Sequence, residues 1–332
     1  MVKLAPFIAM AFTLMALPAQ AQDKVTFGTN WLAQGEHGGF YQALADGTYA
    51  RYGLDVTIRQ GGPQSPNRAL LTAGQIDFYM GGPSTAIDAV KEGVPTLTLA
   101  AIFQKDPQVM LAHPEAGFET LGDLARASQI FMGRDGFLTY FEWMKANFEG
   151  FSDEQFRPYT FNPAPFLADP QSAQQGFLTS EPFAIAQQAG FEPTVFLLDD
   201  YGYKAYSTTI VAMRPYVEAN RDLVQRFIDA SIIGWYNYLY ADNSGANALI
   251  KADNPEMTDA QLAYSRDKMV EYGIVDSGDA LTQGIGCMTD ANWADFYQRM
   301  VSVKRFEPGI DIAQAYDASY VCKGVGLDPA SR

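Results

Sequence analysis

The chain has 332 residues, 48% of them apolar and 18% charged, which is enough for two domains with cores of their own. Its formal net charge is −15 and its pI is about 4.5. That balance disfavours nucleic acid or an anionic membrane surface as a partner, although a local pocket can still hold a small anion.

The N-terminus reads as a secretory leader over residues 1–21. Lys3 supplies the charged region, residues 4–17 the apolar region, and Pro18-Ala19-Gln20-Ala21 a small-x-small cleavage site. The first cysteine is Cys287, so no lipid-anchoring cysteine follows the cleavage point. These features lead to the expectation of an exported, soluble chain, most simply in a bacterial periplasm. An oxidising compartment permits a disulfide between Cys287 and Cys322, the two cysteines present.

From residue 23 onward strand and helix patterns alternate. Strands are expected at 25–30, 54–58, 76–80 and 96–103, with helices at 39–52, 65–72 and 85–91 between them. A second unit carries strands at 109–112, 129–132, 156–161, 175–179, 194–198 and 207–213, and helices at 120–126, 137–148 and 181–190. After Pro215 the pattern is helical: 216–240, 244–251, 259–272 and 290–305. The fold class is α/β, with mostly parallel sheets flanked by helices. One lobe takes 22–106 and 214–332 and the other takes 107–213, joined by crossings near 104–109 and 205–214. The C-terminal helices pack on the first lobe.

Catalytic signatures are hard to find. The chain has two histidines, His37 and His113, and neither a nucleophile elbow nor a phosphate loop. Two distant histidines and two late cysteines do not make a zinc site. No cofactor is expected. Binding features instead recur where strands run into helices, the place where open α/β sheets hold ligands. Trp31, Glu36, His37, Gly38 and Tyr41 follow the first strand. Ser84 and Thr85 follow two glycines at a helix start, where exposed N–H groups can hold an anion or simply be capped. Arg134, which could instead pair with Asp135, marks the same junction in the second unit, and Glu181 the next one. Tyr201, Tyr203 and Tyr206 flank the second crossing and could stack on a ring or pack the hinge. The aromatic stripe Phe227, Trp235, Tyr236, Tyr238 and Tyr240 reads as packing between helices.

Three segments carry a family resemblance. They are Asn30-Trp31 with His37-Gly38-Gly39-Phe40-Tyr41, Tyr49 with Tyr52-Gly53-Leu54-Asp55-Val56, and residues 70–77 before Gly81-Gly82. In this order they resemble the ABC-transporter substrate-binding proteins for nitrate, alkanesulfonates, taurine and the pyrimidine precursors of thiamine. The resemblance implies a two-lobe periplasmic binding fold of type II that closes on a ligand by hinge motion. The opening looks most like the pyrimidine-precursor branch, in which the aromatic after the first strand lies against the pyrimidine. Trp31 matches that position and His37 the motif histidine, while Glu181 matches a looser acidic-before-proline segment. The fungal synthases of the same superfamily carry a cysteine-rich motif, and this chain has no cysteine before Cys287.

The resulting expectation is a monomeric, non-enzymatic solute receptor serving an ABC permease at the inner membrane. Its ligand is a small aromatic heterocycle such as an aminopyrimidine. An alkanesulfonate, taurine, nitrate or flavin receptor is the alternative, and an exported enzyme of precursor synthesis is a further one. The candidate ligand-binding set is Trp31, Glu36, His37, Gly38, Tyr41, Ser84, Thr85, Arg134, Glu181, Tyr201 and Tyr206.

Overall fold

The computed structural model describes residues 21–62, 65–160 and 162–332. The expected leader lies, but for Ala21, outside the described residues. Two sheets of five strands form the frame. The first contains β1 (Asp23–Gly28), β2 (Leu54–Arg59), β3 (Phe78–Gly81), β4 (Thr96–Phe103) and β10 (Ser207–Met213), in the order β2-β1-β3-β10-β4. The second contains β5 (Gln108–Ala112), β6 (Ile130–Met132), β7 (Phe156–Pro158), β8 (Ala173–Phe177) and β9 (Thr194–Leu197), in the order β7-β6-β8-β5-β9.

Both sheets are mixed. Strand β1 runs parallel to β2 and β3, but β10 runs antiparallel to β3 and β4. The second sheet repeats this arrangement: β6 is parallel to β7 and β8, and β5 is antiparallel to β8 and β9. The expectation of mostly parallel sheets is thus corrected. Each antiparallel strand enters its sheet directly from the other lobe, without the helical crossover that a parallel neighbour needs. For the same reason 207–213, assigned from sequence to the second lobe, belongs to the first sheet.

Strand β4 is apolar and almost wholly buried although it lies at the edge of its sheet. The C-terminal segment covers that edge. The N–H of Thr98 donates to Ala315 O at 2.9 Å, that of Asp317 to Thr98 O at 2.9 Å, and that of Ala101 to Gly286 O at 3.0 Å. An uncovered apolar edge would invite pairing with another chain. The disulfide Cys287–Cys322 staples this cover, as the sequence allowed.

Helix α1 (Gly38–Ala45) follows the first loop, α2 (Pro83–Glu92) follows β3, and α3 (Glu181–Ala189) follows β8. The expected 39–52 helix breaks at Gly47, whose φ of 75° is left-handed. The C-terminal region supplies α4 (Arg221–Tyr240), α5 (Ser244–Asp253), α6 (Asp259–Glu271) and α7 (Asp290–Ser302). Phe227, Trp235, Tyr236 and Tyr238 on α4 are buried, so the aromatic stripe is packing, with exposed Tyr240 at its end. Phe227 stacks on Phe78 of β3 and on Tyr49. Helix α6 departs from the expected arrangement. It touches α4 and the first loop, and also α3 of the second lobe.

Candidate functional site

The loop after β1 is held by its backbone. Gln60 Oε1 accepts from the N–H of Ala33 at 3.1 Å, and Asn254 Nδ2 donates to Ala33 O at 2.8 Å. Thr29 Oγ1 donates to Trp31 O at 2.8 Å and accepts from the N–H of Gly61 at 2.9 Å. This network leaves Trp31 half-buried at the head of the loop.

Next come Glu36 and His37, each about 98–99% buried. The Thr179 hydroxyl, from the turn after β8 in the second lobe, donates to Glu36 Oε1. Glu36 Oε2 has no protein partner. Burial pushes the Glu36 carboxyl above the usual range, against the Thr179 hydrogen bond, which lowers it. His37 Nδ1 accepts from the N–H of Gln34 at 3.2 Å, so in the neutral ring the proton sits on Nε2, which has no protein partner. Burial depresses its pKa to about 3, which keeps the ring neutral at physiological pH.

Glu181 opens α3 on the other side of the lobe boundary. Its Oε2 accepts from the N–H of Phe177 at 2.7 Å. Burial pushes it up to about 7, and the neighbouring Glu36 adds to the rise, against the Phe177 hydrogen bond. Tyr140 and Tyr159 lie near enough for Glu181 to bear on their hydroxyls. Tyr140 donates to Gln175 Oε1 at 2.6 Å, and the same oxygen accepts from the N–H of Gly133 at 2.7 Å. Asp106, on the first crossing, is also pushed up to about 7 by burial, with Asp199 adding to the rise and a hydrogen bond from Gln108 opposing it. The region between the lobes thus collects Glu36, Glu181 and Asp106, three carboxyl groups among tyrosines.

Several residues of the expected set have other tasks. A Cβ on Gly38 would lie 2.1 Å from Tyr238 Cζ, and one on Gly39 2.2 Å from the Trp235 ring. These glycines let α1 and α4 pack closely; they do not make room for a ligand. Tyr41 donates to Asp253 Oδ2 at 2.6 Å, at the end of α5. Tyr206 is buried against the C-terminal region, where its hydroxyl accepts from Thr289 N at 3.1 Å and Asn292 Nδ2 at 2.8 Å. Tyr201 packs in the second lobe beside Phe148 and Phe196. Thr85 caps its own helix, donating to Gly82 O at 2.8 Å. Ser84 is half-buried in the first turn of α2 and Arg134 is exposed in the second lobe. His113 is a packing residue, wedged between Phe166 and Phe191 with Nε2 2.9 Å from Phe166 O.

Sequence reasoning missed Thr179, Asp106, Tyr140 and Gln175. Asp106 could have been found, because it lies on the crossing that the strand pattern identifies. Thr179 carries no local signal, since its partner Glu36 is 143 residues away. Among the described residues no group of histidine, cysteine and carboxylate side chains is arranged to hold a metal ion.

The family model described as NMT1/THI5 like matches residues 34–244. The chain belongs to this family. Among solved structures it is similar to the alkanesulfonate-binding protein SsuA from Xanthomonas axonopodis pv. citri bound to MOPS, with 14% identity and a TM-score of 0.64. That match covers 90% of this chain and 99% of the other. It is similar to the ligand-binding component of an ABC-type import system from Staphylococcus aureus with zinc bound, at 12% identity and a TM-score of 0.63, covering 90% and 98%. The desulfurization enzyme DszB is similar too, at 12% identity and a TM-score of 0.55, covering 90% and 97%. At such identities these likenesses establish the periplasmic binding protein fold alone. A search of the curated proteins returns no match.

Proposed function

We propose that this member of the NMT1/THI5-like family is the solute-binding component of an ABC importer. It captures a small aromatic heterocycle bearing N–H donors between its two lobes, 22–106 with 207–332 and 107–206. The observation that supports the reading is a pair of carboxyl groups at the lobe boundary, buried Glu36 and half-buried Glu181, close enough for Glu36 to raise Glu181. Buried carboxyl groups want hydrogen-bond donors, and an aminopyrimidine offers ring-borne amino groups to them and a flat face to Trp31. Hinge motion at the two crossings would admit and enclose such a ligand. The expected leader supports export to the periplasm, and on this reading the receptor acts there as a monomer that delivers its ligand to a membrane permease.

The non-enzymatic reading rests on His37. A ring held neutral down to about pH 3 is a poor general base, and its accepting nitrogen is already used by Gln34. DszB, an enzyme with this fold, makes a direct test worthwhile: a ligand recovered unchanged after prolonged incubation supports a receptor, and a converted one contradicts it.

A sulfonate or nitrate receptor is the second reading. The N-terminus of α2 with Ser84 favours it through helix-end N–H groups, and the exposed Arg134 of the second lobe is the cation that such a ligand would recruit. Thermal shift with aminopyrimidines, flavins, taurine, alkanesulfonates and nitrate separates the two. A rise in melting temperature with aminopyrimidines alone supports the first; a rise with the oxyanions alone supports the second.

A further inference from the structure

We infer that Glu36 and helix α6 form a latch that holds the two lobes shut in the absence of ligand. The latch receives the turn Thr179–Ser180 of the second lobe. Thr179 is fully buried there, its hydroxyl on Glu36 and its carbonyl 2.7 Å from Ser265 Oγ of α6. Ser265 shares its hydroxyl hydrogen with Gln261 O at 2.9 Å, and Gln261 Nε2 adds long contacts to Thr179 O and Ser180 O at 3.5 and 3.4 Å. One turn further on, the Phe183 and Tyr264 rings meet with centroids 5.2 Å apart.

The seat is built for this turn. A Cβ on Gly35 would lie 2.5 Å from Ser265 Cβ, so only glycine lets α6 come close enough to Glu36 to hold Thr179 between them. Three stretches far apart in sequence, 35–37, 179–181 and 261–265, thereby meet at one buried point. All of these contacts are protein to protein and need no ligand atom, so each of them weighs toward the closed arrangement. A hydrogen bond to a charged or buried carboxyl group weighs enough to shift an open–closed ratio about tenfold or more. Beside the ligand contact proposed above, which its unpartnered Oε2 can make, Glu36 thus acts through Thr179 as a positioning residue and sets how often the receptor is closed before ligand arrives. The proposal is independent of which solute is bound.

The test is small-angle X-ray scattering of the full chain, unfolded in urea with its disulfide intact, dialysed free of carried small molecules and refolded. The unmutated protein is expected to scatter as the compact form described above. Thr179→Val keeps the shape of the side chain and removes the donor; it is expected to enlarge the radius of gyration, and Thr179→Ser to restore the original curve. An unmutated protein that scatters as an opened form overturns the latch, as does a Thr179→Val curve identical to the original or a Thr179→Ser protein that opens as Val does. Should Thr179→Val lack a cooperative thermal transition, Ser265→Ala is read in its place: opening supports the latch, and an unchanged curve overturns it.

Discussion

Thr179 donates its hydroxyl hydrogen to Glu36 across the boundary between two sheets, and both residues are buried there. Neither side of this pair can be lost cheaply. Glu36→Ala leaves the Thr179 hydroxyl without an acceptor in a closed interface and removes packing. An unsatisfied buried polar group costs about 1–3 kcal/mol. Glu36→Gln keeps an acceptor and removes the burial cost of a charge. Urea unfolding is expected to show Glu36→Ala clearly destabilised and Glu36→Gln near the parent at pH 7.

The titratable groups shifted by loss of water contact, half-buried Glu181 and Asp106 and buried His37, predict a stability profile with opposing slopes. Glu181 is raised from 4.5 to about 7 and Asp106 from 3.8 to about 7. For a raised acid the native state binds more protons than the unfolded one. Its contribution is full below the unfolded value and is lost as pH rises to about 7. His37 is depressed from 6.5 to about 3, so its contribution is present above 6.5 and is lost as pH falls toward 3. The two effects oppose each other between about 4.5 and 6.5, and above 6.5 the carboxyl groups alone remain. Melting temperature measured against pH is therefore expected to fall from 6.5 to 8. Glu181→Gln, which cannot ionise, should raise the melting temperature more at pH 8 than at pH 4.5. An equal effect at both values would contradict the assignment.

The glycines of the first helix make a packing prediction. Gly38→Ala places a methyl 2.1 Å from the Tyr238 ring, inside a closely packed pair of helices. Overpacking of this kind costs about 1–3 kcal/mol or more. The variant should melt well below the parent, and trimming the partner with Tyr238→Ala should recover part of the loss when the two changes are combined. A purely ligand-facing glycine would leave melting unchanged.

The Cys287–Cys322 bridge closes a loop with a sequence separation of 35. Loop-closure entropy puts its contribution at about 3–4 kcal/mol. Reduction should lower the melting temperature and raise hydrogen exchange at Thr98 and Ala101, whose N–H groups the tail covers. Faster exchange confined to the last ten residues would show that the cover over β4 does not depend on the bridge.

Much of the frame could be read from the residues. Thr96–Phe103 is a continuous apolar run and Ser207–Met213 a short β-branched one, and both are strands over those bounds. Their place in the sheet was less legible. β10 ends the second lobe in sequence but pairs with β3 and β4, because strand pairing is set by the crossing and not by local pattern. The stretch from Trp31 to Tyr41 stood out correctly as a loop entering a helix. Its parts then separated by side-chain neighbours that sequence does not encode. Gly38 answers to Tyr238 on α4, Tyr41 to Asp253, and Glu36 to Thr179. Trp31 lies half-buried at the head of the loop. Tyr206 is buried, and Thr289 and Asn292, more than 80 residues on, hold its hydroxyl, a pairing that local pattern does not encode.

The central claim, capture of a flat N–H-bearing ring beside Trp31 and Glu181, is tested most directly by calorimetric titration of the ligand-free protein with an aminopyrimidine. Saturable binding is expected, and Trp31→Ala should weaken it by about 1–3 kcal/mol, the worth of one ring stack. Absence of binding, or binding that Trp31→Ala leaves intact, would contradict the claim.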